Sequence, residues 1–190
     1  MDIRENFDNI KREISKACGK VDRSPEDIKV IAVTKYVTDA RVEQAIEAGV
    51  DSFAENRPQN YLERKQKYSD KEWHLIGSLQ TRKVRDVINH VDYFHALDRE
   101  SLAKEIEKRA EDKVNCFVQV NVSGEESKHG LTSHETIEFI KGLEKYSKIN
   151  VIGLMTMAPF VEDEDVLRNC FKKLRQLRDE VKELKLDYAP

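Results

Sequence analysis

Polar residues follow apolar runs at six places in this chain, and their types are those of covalent and hydrogen-bonding chemistry. Val30-Ile31-Ala32-Val33 leads into Thr34-Lys35-Tyr36, and Ser52-Phe53-Ala54 leads into Glu55-Asn56-Arg57. Trp73-His74-Leu75-Ile76 leads into Gly77-Ser78-Leu79-Gln80, and a short run ends in Leu97-Asp98. Two further runs are Gln119-Val120-Asn121-Val122-Ser123-Gly124 and Gly153-Leu154-Met155-Thr156-Met157-Ala158-Pro159. Lys35 is the most reactive type among them. In a dry pocket the ammonium form is disfavoured, and the neutral amine is a nucleophile that condenses with aldehydes to a Schiff base. Each residue also has a plainer role. A lysine after a strand is commonly solvated, Asn56 could cap the helix that Pro58 opens, and His74 could be a satisfied core histidine. Gly77 and Gly153 could serve close packing, residues 125–130 could be an ordinary loop, and Arg82, Lys83 and Arg85 could simply face water. What favours chemistry is convergence, because the apolar runs deliver polar groups at the same end.

The elements that must position these groups alternate. Ile3, Phe7, Ile10, Ile14 and Ala17 form one helical stripe over 3–17. Ser24-Pro25-Glu26-Asp27 is a helix start in miniature, with Ser as cap, Pro at the first helical position and acids in the first turn. Strands are predicted at 28–34, 52–55, 74–77, 93–96, 116–122 and 151–157. Helices are predicted between them: one around Val42, Ala45 and Ile46 that stops at Gly49, then 58–68, 83–89, one through Leu102, Ala103 and Ile106, and one through Ile137, Ile140 and Leu143. Val166, Cys170, Leu174, Leu177, Val181 and Leu184 mark a long final helix. Strict alternation implies a parallel sheet covered by helices, either doubly wound or a (β/α)₈ barrel, and in both the ligand meets the carboxyl ends of the strands. No G-x-G-x-x-G follows a strand, so the dinucleotide-binding mark is missing.

Composition narrows the class. The 190 residues are 39% hydrophobic and 36% charged, enough to bury a core. Lys plus Arg is 33 and Asp plus Glu is 36, a net charge of -3, without the basic excess of a nucleic-acid binder. No run is fit to span a bilayer, and MDIRENFDNIKREI does not read as a signal peptide. Cys18, Cys116 and Cys170 are odd in number and far apart, offering neither a disulfide framework nor metal-ligand spacing. A reducing cytoplasm is the expected setting.

Five stretches, IAVTKYV (31–37), FAENRPQ (53–59), WHLIGSLQTRK (73–83), VQVNVSGEESKHGL (118–131) and VIGLMTMAP (151–159), closely resemble those of the pyridoxal 5′-phosphate (PLP) homeostasis proteins, of the alanine-racemase N-terminal-domain-like family. The resemblance covers essentially the whole chain. It implies an α/β, TIM-like (β/α) barrel with an extra N-terminal helix, over 1–190 as a single PLP-binding domain. It implies a covalent imine between PLP and Lys35, with Asn56, His74 and Met155 around the pocket and the Ser127-Lys128-His129-Gly130 loop at its mouth. Ala54 stands where the family usually has Gly. The family continues with two further strands whose Ser-Met-Gly-Met-Ser-like and Arg-Ile-Gly-like loops hold the phosphate, so these residues look like six of eight strand–helix units; a complete barrel takes roughly 250 residues.

The expected function is that of a PLP carrier and buffer without catalysis, with no catalytic residue and no metal, passing PLP to apo-enzymes. A monomer is expected of the complete barrel, and association of copies and a looser imine for a chain lacking those strands. The rival readings are a PLP-dependent amino-acid racemase and a ligand-free fragment. Racemization needs a base on each face of the cofactor, commonly a lysine and a tyrosine; Tyr36, Tyr61 and Tyr93 are available, but nothing in the sequence places one opposite Lys35.

Overall fold

The computed structural model describes residues 2–124 and 129–190. An N-terminal helix, α1 (Ile3–Gly19), and a 3₁₀ turn at Pro25–Asp27 precede β1 (Ala32–Val33). Then follow α2 (Asp39–Glu47), β2 (Ser52–Glu55), α3 (Pro58–Lys67), β3 (Glu72–Leu75), α4 (Val84–Val87), β4 (Tyr93–Leu97), α5 (Glu100–Arg109), β5 (Val114–Gln119), α6 (Ser133–Gly142), β6 (Ile149–Met155) and α7 (Glu164–Glu183). Local chemistry sets the ends. Ser24 accepts from the Glu26 N–H to start the 3₁₀ turn, and Thr132 with Glu135 forms a capping box on α6. Asp163 accepts from two N–H groups at the start of α7, and α2 gives way to Gly49 at φ 95°, a left-handed backbone suited to glycine.

The six strands are all parallel and lie in the order β1-β2-β3-β4-β5-β6. Sequential order decides between the two architectures, because a doubly wound sheet reverses direction at a switch point and a barrel does not. The fold is therefore the expected TIM-like α/β arrangement of six strand–helix units with an extra N-terminal helix. Among the described residues the ring is not closed: β1 pairs with β2 and β6 with β5, and β1 and β6 do not pair with each other. At the β6 edge the Val151 N–H donates to the Tyr188 carbonyl at 2.8 Å.

Strand pleating gives the sheet two faces. On the outer face Phe53, Trp73, Leu75, Phe94 and Cys116 pack under helix residues that include Val42, Tyr61, Val84, Leu102 and Ile106, all buried. Phe53 and Tyr68 both stack on Trp73. Ile3 and Phe7 of α1 lean on this core. The predicted α1 stripe is rotated, since Ile10 is 46% exposed and Cys18 is buried instead.

Candidate functional site

The register of the ladders shows which side chains share the inner face. Val33 pairs with Ala54, Ala54 with His74, and His74 with Tyr93. Lys35 and Asn56 come two residues beyond Val33 and Ala54, past the ends of β1 and β2, Lys35 in a turn and Asn56 in a bend. Farther round, Asn115 pairs with Asn150, and their side chains hydrogen-bond at 2.8 Å. Phe117, stacked on His95, pairs with Gly153. Met155 lies two residues past Gly153, opposite Gln119. His74 and Met155 thus stand on one face of the sheet, and Lys35 and Asn56 lie just past the carboxyl ends of β1 and β2. Lys35 and Asn56 follow neighbouring strands, Met155 closes β6, and His74 lies lower, within β3.

Lys35 is exposed, with its Nζ 6.0 Å from the centre of the Tyr36 ring. The dry surroundings expected for it are not found, because β1 is a two-residue edge strand flanked on one side only and even Val33 is 48% exposed. Asn56 is half-buried and does not cap α3: the residue at that cap is Arg57, and no side chain bonds there. Asn56 instead meets Gly77, where an added Cβ would sit 2.0 Å from the Asn56 carbonyl oxygen. Only glycine at 77 lets the two strand ends close up. Gly153 likewise makes room for the Phe117 ring, 2.9 Å from where a Cβ would lie. Met155 is half-buried. Of the loop expected at the mouth, Ser127 and Lys128 lie outside the described residues; His129 is exposed and Gly130 takes φ 116°.

His74 is buried and both ring nitrogens have partners. Nε2 lies 2.8 Å from Glu72 Oε1, and Nδ1 lies 2.7 Å from His95 Nε2. The ring stacks on Tyr93 at 4.6 Å. Glu72 also accepts from Lys29 Nζ at 2.6 Å and from Ser52 Oγ at 3.0 Å. Burial pushes the Glu72 carboxyl up, but bonds from Lys29, His74 and Ser52 outweigh it and hold it at about 2. Burial lowers His74 against the pull of Glu72, and burial with the neighbouring His74 takes His95 to about 3. With both rings neutral, a single tautomer pattern satisfies the chain: His74 donates from Nε2 to Glu72 and accepts at Nδ1 from the His95 Nε2–H. His95 was missed from the sequence, although it holds the same place in Phe94-His95-Ala96 that His74 holds in Trp73-His74-Leu75.

The three tyrosines part company. Tyr61 is buried under the outer face, where its hydroxyl lies 3.2 Å from the Trp73 and His90 carbonyls and accepts from the Asp92 N–H. Burial pushes its phenol up. Tyr93 lies flat against His74, and Tyr36 is 82% exposed beside Lys35. Cys18, Cys116 and Cys170 are free and buried, and burial pushes the Cys116 thiol up to about 12. Among the described residues no cluster of His, Cys, Asp or Glu is arranged to hold a metal ion, and no helix is long and apolar enough to cross a membrane.

Six parallel strands in sequential order, with helices between them, define the TIM-like α/β barrel class. The chain belongs to the alanine racemase N-terminal domain family, whose model matches residues 4–189. It is 35% identical to the pyridoxal phosphate homeostasis protein of Aquifex aeolicus, over 95% of this chain and 82% of that one. A crystal structure of an unknown protein from Bifidobacterium adolescentis superposes with a TM-score of 0.85 at 30% identity, covering 94% of this chain and 78% of that one. PipY of Synechococcus elongatus PCC7942, solved with PLP bound, shares the fold with a TM-score of 0.76 at 24% identity, covering 90% and 82%.

Proposed function

We propose that this chain, over residues 1–190 as one domain, is a PLP carrier that holds its cargo at Lys35 and supports PLP homeostasis without catalysis. PLP brings an aldehyde, and the Lys35 amine condenses with it, releasing water. Asn56 offers its amide at the neighbouring strand end, Met155 supplies soft apolar contact, and His74, fixed by Glu72 and His95, supports the face from below. The observation that carries this reading is the exposed amine of Lys35 just past the carboxyl end of β1, with Asn56 just past the neighbouring β2. Exposure suits a carrier, because a bound aldehyde must be able to leave for apo-enzyme recipients. The relatives named for PLP homeostasis and the PLP-bound PipY structure support the choice of cargo. Absence of catalysis is supported by two of the tyrosines, Tyr61 committed to the outer face and Tyr93 stacked on His74, while Tyr36 is exposed in the same turn as Lys35 rather than fixed opposite it. Buried free cysteines fit a reducing cytoplasm.

An absorbance scan of the purified chain with added PLP tests the reading. The expected result is a new band that borohydride removes, with no racemization of alanine or other amino acids. No band would rule out the carrier, and steady racemization abolished by Lys35→Ala would establish an enzyme instead.

A further inference from the structure

A four-residue turn presents Lys35. The Val37 N–H donates to the Thr34 carbonyl at 3.2 Å, and Tyr36 between them takes φ 68°, a left-handed backbone that non-glycine residues seldom adopt. Both ends of the turn are gripped from outside it. At one end the Thr34 N–H donates to the Ala54 carbonyl at 2.9 Å, and the buried Thr34 hydroxyl donates to Glu55 Oε1 at 2.7 Å. At the other end Arg64 Nη2 donates to the Val37 carbonyl at 2.7 Å, while the same guanidinium pairs with Asp39, the first residue of α2. Arg64 Nε stands 3.8 Å from the Glu55 oxygen that Thr34 uses, and the two side chains are 13% and 1% exposed. One carboxylate–guanidinium pair therefore spans the turn from beneath.

Stability alone gives this pair little reason to exist. A buried ion pair rarely outperforms apolar packing of the same volume. This one also leaves Glu55 Oε2 buried without a hydrogen-bond partner, a cost native structures mostly avoid. Pleating turns Glu55 to the outer face, where it takes the Thr34 hydroxyl, and Lys35 follows Thr34 in the turn that this bond anchors.

We infer that Glu55 and Arg64 are positioning residues, holding the Thr34–Val37 turn so that the Lys35 amine meets its aldehyde at the carboxyl end of β1. The inference rests on the reading of Lys35 as the aldehyde-holding residue. The pair touches no ligand; it acts through the turn. Nothing in the turn's own sequence would keep Tyr36 left-handed once the grip is lost, and the amine would then sample many directions.

The test uses the whole chain with PLP as probe and the variants Arg64→Met, Arg64→Lys and Glu55→Gln. The rate of condensation is followed by absorbance, the modified residue is mapped after borohydride, and hydrogen exchange is read over 34–38 and over β3 and β4. Arg64→Met keeps the buried stem and removes the fork. It is expected to slow condensation roughly ten-fold or more, in line with the cost of small misplacements, and to raise exchange over 34–38 while β3 and β4 stay protected. Glu55→Gln keeps an acceptor for Thr34 and is expected to give a smaller loss of the same kind. Arg64→Lys should recover part of the rate. Wild-type rates in both Arg64→Met and Glu55→Gln, with the label still on Lys35, would overturn the positioning role and leave the carrier reading standing. A wild-type label away from Lys35 would overturn both. If Arg64→Met loses its folded circular dichroism signal, the isosteric Glu55→Gln decides.

Discussion

On the outer face of the sheet Phe53 and Trp73 stack under Tyr61 and Tyr68; one residue along each strand, Ala54 and His74 face the other way into a polar network of Glu72, His95, Lys29 and Ser52. The outer face is mainly apolar and covered by helices, though at its carboxyl end it also carries Glu55, bonded to Thr34. The inner face carries the polar network and, farther round, a half-buried Met155. The same backbone ladders serve both, so one period-2 pattern separates two duties. Burial of aromatic area holds the fold, while the network opposite fixes the orientation of the His74 and His95 rings. Substitutions on the two faces should therefore fail in different ways.

The largest effect is expected on the outer face. Trp73→Ala should remove about 3–5 kcal/mol of unfolding free energy, because a fully buried indole leaves both transfer and cavity costs. Urea unfolding measures it, and a loss below about 1 kcal/mol would mean that this face does not hold the fold. Gly77→Ala strikes where the faces meet. Its methyl would collide with the Asn56 carbonyl, so a loss of about 1–3 kcal/mol is expected, together with weaker PLP binding as the Asn56 strand end is pushed aside.

The inner face should show itself through pH. The folded pKa values of His95, about 3, and of His74 lie below their ordinary 6.5, so the unfolded chain takes up protons first as pH falls. Their contribution is complete above pH 6.5 and declines from there down toward pH 3, by about 1.4 kcal/mol per pH unit for each extra proton bound by the unfolded chain. Glu72, lowered from 4.5 to about 2, adds loss of the same sign below pH 4.5. His95→Phe, which keeps an aromatic ring against Phe117, should flatten the upper part of that decline at some cost at neutral pH, since His74 Nδ1 loses its donor. Chemical unfolding at a series of pH values measures it, and an unchanged slope in the variant would contradict the assignment. The smallest stability effect belongs to Lys35→Ala, within about 0.5 kcal/mol for an exposed side chain.

The outer face and the helices were legible in the sequence because apolar runs and 3.6-residue stripes are one-dimensional signals. The reading lost the polar first halves of strands for the same reason. β3, β5 and β6 begin at Glu72, Val114 and Ile149, before the apolar runs counted as strands, because Glu72, Asn115 and Asn150 face inward. β1 shrank to Ala32–Val33 because an edge strand finds ladder partners on one side only. Lys35, Asn56, His74 and Met155 stand out by type and by resemblance, and their part in a ligand site is a proposal. The His74–His95 pair and the Thr34–Glu55 and Val37–Arg64 bonds do not, since each joins residues more than twenty positions apart in a fold that only the assembled sheet sets.

Lys35 carries the central claim, and chemical trapping tests it most directly. The chain is mixed with a stoichiometric amount of PLP, reduced with borohydride, digested, and each peptide weighed for the pyridoxyl group. The account predicts one dominant label on Lys35, lost in Lys35→Ala while the unfolding midpoint stays where it was. A label spread over surface lysines, or concentrated on Lys83 or Lys128 with Lys35 unmodified, would contradict it.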